Sequence, residues 1–161
     1  MDMQTLQTLR RDAEDICRSA IAASVPDAAV RRALAQLPPC AGQTVLISIG
    51  KAGWQTAKAA YDALGSAIQR GVVVTKYGHS QGAIGSFAIY EAGHPVPDEN
   101  SVRATEAALE AVRNLTPADR VLFLVSGGGS ALFEQPLVPL AELEDITGQM
   151  LACGADITRI N

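Results

Sequence analysis

Residues 44–76 read TVLISIGKAGWQTAKAAYDALGSAIQRGVVVTK. The stretch opens and closes on short apolar runs, TVLISIG at 44–50 and GVVVTK at 71–76, that do not alternate with polar residues. Strands covered on both faces have that character, because neither side is given to water. WQTAKAAYDALGSAI between them reads as the intervening helix. Strand, helix and strand in this order form the unit of a doubly wound parallel layer.

Working outward, SFAIYEAG (86–93) and RVLFLVSGG (120–128) are two further apolar runs of the same kind. DENSVRATEAALEAVRNL separates them and places Val102, Thr105, Ala108, Leu109 and Val112 on one helical face. KYGHSQGAIGS (76–86) has glycines at 78, 82 and 85 and no helical period, which predicts an exposed loop. Upstream, Leu6, Leu9, Ala13, Ile16, Ala20 and Ala23 predict an amphipathic helix over about 4–23. SVPDAAVRRAL predicts a second helix, with Ser24 as its cap and Pro26 in its first turn, ended by LPPC at 37–40. VPLAELEDITGQMLACGADITRIN predicts a helix and then a polar tail. The expectation is one α/β domain over 1–161, with a mainly parallel sheet between helical layers. Its strands at 44–49, 71–75 and 121–125 should be adjacent and buried on both faces.

Forty-eight per cent hydrophobic residues can build a core of that kind. A formal net charge of −4 gives no general basic surface, so neither nucleic acid nor an anionic membrane is an expected partner. Cys17, Cys40 and Cys153 are odd in number, far apart and without metal-ligand spacing, which predicts buried thiols in a reduced, cytoplasmic setting and no metal site. No leader or run of membrane-spanning length is read in the sequence.

In an open parallel sheet, ligands bind outside the C-terminal ends of the strands. The residues next in sequence after the strands are Gly50 and Lys51, then Lys76 to His79, then His94 to Asp98, then Ser126 to Ser130. Gly50 lets the chain turn sharply, and Lys51 then stands at a helix start. It is either a solvated turn residue or a partner for an anion, which would also meet helix N-terminal N–H groups. The second reading is favoured, because a cation is unfavourable at a helix N-terminus unless an anion offsets it.

SGGGS at 126–130 raises the same question more sharply. A tight turn that lets a helix pack closely on the sheet explains one glycine, or two at most. Three with flanking hydroxyls favour a cradle for an oxyanion or phosphate. It is not a P-loop, since no lysine comes after Gly129, and not a nucleophile elbow, since Leu132 stands where a glycine is required. In EAGHPVPDEN two prolines stiffen a loop holding His94 and Asp98. Asp98 should cap the helix starting near Glu99, and His94 is either a packed or a ligand-facing histidine. Trp54 is read as core.

Four segments, IGKAGWQTAKAA, GVVVTKYGH, EAGHPVPDENSVRAT and VLFLVSGGGSALFEQP, resemble in order and spacing the N-terminal domain of the glycerate 2-kinase family, whose members were often labelled hydroxypyruvate reductases. The resemblance runs from about residue 5 to the last residue. It implies a Rossmann-like αβα domain and phosphorylation of D-glycerate to 2-phosphoglycerate by ATP and Mg. The site implied is a cleft against a second domain. Lys51 matches the family's functional lysine, and Ser126 to Ser130 match its glycine-rich loop. Family proteins are considerably longer, so this chain resembles an N-terminal fragment. Activity is expected only with the absent C-terminal domain, which would supply most metal ligands.

Two other functions compete. A nicotinamide-dependent hydroxypyruvate reductase is disfavoured, because GKAG replaces GxGxxG and Lys76 stands where an NAD site would place an acid. A non-catalytic phosphate-binding module shares the fold and the glycine loop.

Overall fold

The computed structural model describes residues 2–160. Helix α1 (Met3–Ser24) leads into α2 (Asp27–Leu34), β1 (Thr44–Ile49), α3 (Gly53–Leu64), β2 (Ile68–Lys76) and β3 (Ala88–Ala92). Next come α4 (Glu99–Ala111), β4 (Arg120–Val125), α5 (Gly129–Leu132), α6 (Leu140–Ala152) and α7 (Ile157–Ile160). The four strands form one parallel sheet in the order β3-β2-β1-β4.

That order fixes the layers. The chain steps from β1 to β2 through α3, then crosses back over the sheet from β3 to β4 through α4. Right-handed crossovers running in opposite directions place their helices on opposite faces. Accordingly Trp54, Ala57 and Ala60 of α3 pack with Leu46, Val73 and Leu122 on one face. Ala104 and Ala108 of α4 pack with Val45, Ile47, Val72 and Val74 on the other, with Leu132 of α5 in the same cluster. The αβα sandwich read from the sequence is therefore the observed architecture.

β1 is buried along its whole length, and Val72 to Val74 of β2 are buried too. Each such aliphatic side chain contributes about 1.5–3 kcal/mol relative to exposure. β4 pairs with β1 in the expected parallel register, Thr44 opposite Arg120 through Ile49 opposite Val125. It is nevertheless an edge strand, and Val121, Phe123 and Val125 are 41%, 49% and 63% exposed. The expectation of cover on both faces fails for β4, because α4 crosses over β2 and β3 rather than over β4.

Other local expectations change as well. The connection from β2 to β3 is exposed at residues 81–83, but Ile84 and Phe87 are buried against the α3 face, and Trp54 Nε1 donates to the Gly82 carbonyl at 2.7 Å. This helix-free crossover thus covers sheet surface itself. Ser24 does not cap α2: its Oγ donates back to the Ala20 carbonyl at 2.7 Å, and Pro26 occupies the N-cap position. The polar segment after α6 forms the short helix α7. Cys17 and Cys153 are exposed and Cys40 is half-buried, so the thiols are not core residues. The amphipathic α1 is present, yet none of its residues is buried.

Candidate functional site

Because β1 leads to β2 on one side and pairs with β4 on the other, the sheet's topological switch lies between β1 and β4. The crevice for a ligand opens there. The two glycine-bearing turns that leave these strands meet at that point.

Gly50, at φ 108°, has a conformation that side chains rarely adopt, and a Cβ there would collide with Ser126. Its N–H donates to the Val74 carbonyl at 3.0 Å. The next N–H, of Lys51, donates to the Gly127 carbonyl at 2.9 Å, and that of Ala52 donates to Ser126 Oγ at 3.0 Å. Ser126 Oγ in turn donates to the Ile49 carbonyl at 3.1 Å. The Gly53 N–H closes onto the Gly50 carbonyl at 2.8 Å. The N–H groups of residues 50–53 are therefore engaged within the protein, whereas those of Trp54 and Gln55 in the first turn of α3 have no acceptor among the described residues. Lys51 brings its exposed ammonium to the crevice, while Ser126 ties the two turns together.

The glycine loop is different. Among the described residues, the N–H groups of Gly127, Gly128, Gly129 and Ser130 have no hydrogen-bond acceptor. Gly128 is left-handed at φ 82°, and a Cβ there would lie 2.7 Å from His94 Nε2 and 3.1 Å from Lys51 Cε. The side chains of Lys51 and His94 thus both stand against Gly128. A Cβ on Gly127 meets no atom within 4 Å and its φ lies outside the left-handed region, so neither turn nor packing requires that glycine.

His94 comes after β3, and its peptide bond to Pro95 is cis. Burial lowers its pKa below 6.5, and the charges of Lys51 and Lys76 lower it further. Its ring is neutral at pH 7 as a result. With Ser130, Pro95, Pro97 and Glu134 it lines a small cavity of about 180 Å³. On the other side of Lys51 an open groove of about 670 Å³ runs past Ala52, Gln55 and His79 to Val25 and Pro26.

Asp98 stands apart from this convergence. Its Oδ1 accepts from the Ser101 N–H at 3.0 Å in a capping box at the start of α4, and its Oδ2 accepts from the Tyr77 hydroxyl at 2.7 Å. Burial acts to raise its pKa, but hydrogen bonds from Tyr77, Ser101 and the Gly93 N–H outweigh that and hold the carboxyl below its ordinary value. The residues brought together are Gly50, Lys51, His94 and Gly127 to Ser130; Ser126 and Asp98 hold the frame.

His79 was visible in the sequence only as one of several residues after β2. Gly78, at φ 77°, turns the chain so that His79 Nδ1 comes 2.9 Å from the Lys51 carbonyl. Thr75 Oγ1 donates to the same oxygen at 3.3 Å. A polar residue directly after a strand-end glycine was the available signal. Its target, in the turn after β1, was not.

A family model described as a domain of unknown function, DUF4147, matches residues 12–161. The chain is 50% identical over 157 residues to D-glycerate 2-kinase of Thermotoga maritima, covering 96% of this chain and 37% of that protein. It is 39% identical over 162 residues to a putative hydroxypyruvate reductase of Agrobacterium vitis, covering 99% of this chain and 35% of the relative. The crystal structure of a glycerate kinase from Thermotoga maritima matches with a TM-score of 0.81 at 50% identity, over 96% of this chain and 37% of the other. The chain thus spans about a third of the length of these relatives. By its matched residues, its fold and the motifs gathered at the switch point, it belongs to the DUF4147 family, the glycerate 2-kinase family that its sequence resembles.

Proposed function

We propose that this chain supplies the anion-binding wall of an ATP-dependent glycerate 2-kinase that converts D-glycerate to 2-phosphoglycerate. The observation that carries the proposal is the run of unpaired N–H groups at Gly127 to Ser130, in a loop whose Gly128 lies beside the Lys51 side chain and the neutral His94 ring. Phosphoryl transfer asks a protein mainly to position reactants and neutralise charge. In this reading the loop N–H groups hold phosphate or carboxylate oxygens, and Lys51 offsets negative charge as it develops. The neutral His94 accepts a hydrogen bond from a substrate hydroxyl.

Mg²⁺ would neutralise phosphate charge, but this chain's own residues do not form a cage for it. No group of three His, Cys, Asp or Glu side chains capable of holding a metal occurs among the described residues, and Asp98 is engaged with Ser101 and Tyr77. Turnover is assigned to the longer protein, because relatives carrying the kinase name are nearly three times this length. A cytoplasmic setting accords with this role; no described helix is long and apolar enough to cross a membrane.

The test is an NMR titration of the chain with inorganic phosphate, D-glycerate and ATP. Saturable shifts should be confined to the amides of 127–130, His94 and Lys51. Absence of such shifts at millimolar ligand would overturn the proposal. NADPH producing the larger and tighter response would favour the reductase reading instead.

A further inference from the structure

We propose that His79 is a positioning residue for Lys51, acting through the Lys51 carbonyl. The inference rests on the reading of Lys51 as the cation of the anion site. It begins from the peptide unit joining Lys51 to Ala52, whose two polar groups are held by different strand ends. Its N–H donates to Ser126 Oγ, after β4, at 3.0 Å. Its C=O lies 2.9 Å from His79 Nδ1 and 3.3 Å from Thr75 Oγ1, both supplied from β2 and its turn. The preceding N–H, of Lys51 itself, is fixed on the Gly127 carbonyl at 2.9 Å.

A carbonyl oxygen can only accept, so His79 Nδ1 carries a proton and donates it. Gly78, at φ 77°, and the His79 N–H to Lys76 carbonyl bond at 3.0 Å set the turn that delivers the ring. This peptide plane and the preceding one, whose N–H is held by Gly127, together fix the Cα–Cβ direction of Lys51. His79 therefore limits where the Lys51 ammonium can reach, although the two side chains need not touch. Pre-organisation of this kind improves binding by reducing what must be ordered when the ligand arrives.

The experiment measures inorganic phosphate affinity and amide hydrogen exchange in the parent chain and in His79→Ala, His79→Asn and His79→Gln. Asparagine places an amide N–H where Nδ1 stands, whereas glutamine places it one carbon further out. His79→Ala should weaken phosphate binding and accelerate exchange at Ala52, each by about tenfold, the weight of one ordinary hydrogen bond. Exchange in β1 and β2 should stay unchanged, which separates positioning from a general loss of stability. His79→Asn should restore both readouts and His79→Gln neither. Parent values in His79→Ala, or an asparagine variant that behaves like alanine, would overturn the inference. If even the parent binds no phosphate, the anion-site reading fails, while exchange at Ala52 still decides whether His79 holds the peptide.

Discussion

Ser126 Oγ accepts the Ala52 N–H at 3.0 Å across 74 positions of sequence. One hydroxyl thereby joins the turn after β4 to the turn after β1, since the same oxygen donates to the Ile49 carbonyl at 3.1 Å. Ser126→Ala leaves a partly buried N–H without its acceptor. We expect a loss of about 1–3 kcal/mol in denaturant unfolding, together with weaker phosphate binding. A variant as stable as the parent would show that water replaces the hydroxyl at no cost.

The glycine loop allows its conformational and ligand-contacting roles to be separated. Gly128→Ala forces a Cβ into a left-handed position against His94 and Lys51, so it should lower stability by about 1–2 kcal/mol as well as binding. Gly127→Ala meets open space and should leave the melting temperature within about 2 °C of the parent. Its phosphate affinity should nevertheless fall at least about tenfold if the oxygen comes where the Cβ would stand. Unchanged affinity in Gly127→Ala would remove this residue from the site.

His94 predicts a pH dependence with a definite sign. Its folded pKa lies below 6.5, so between the folded value and 6.5 the unfolded chain binds more protons than the folded one. The stability contribution is fully present above 6.5 and is lost as pH falls through the folded pKa. Thermal unfolding measured from pH 7.5 downward should show this fall near and below 6.5 in the parent and not in His94→Gln. Loss linked to Asp98 comes later, below its ordinary value of 3.8, because its folded pKa is also depressed. Bound phosphate should raise the His94 pKa, which a carbon-detected titration of its ring would show.

The edge strand makes a separate prediction about solubility. Val121 is 41% exposed on the uncovered face of β4, and the strand's outer side has no partner in this sheet. Such an edge is a template for pairing with other chains. Val121→Lys should raise the concentration at which the chain precipitates while shifting the melting temperature by less than about 3 °C, since Val121 belongs to neither core cluster and its side chain has room to reach water. Precipitation unchanged by the substitution would place the association elsewhere.

Local sequence determined the layer type. Non-alternating runs such as Leu46 to Ile49 and Val72 to Val74 can only be stable where both faces are covered, and the apolar face of 102–112 had to meet a sheet. It also determined the Asp98 cap, whose bond to the Ser101 N–H spans three residues. Tertiary structure alone decided which strand ends are neighbours. Gly50 and Ser126 meet because β4 pairs with β1 instead of extending the sheet beyond β3, a choice set by the direction of the α4 crossover. The same choice left Val121, Phe123 and Val125 uncovered, although their sequence reads like that of the buried strands. It also engaged the N–H groups before α3 and left those of 127–130 unpaired. Hydrophobic pattern is a property of each segment, whereas hydrogen-bond partners across 74 positions depend on the order in which segments pack.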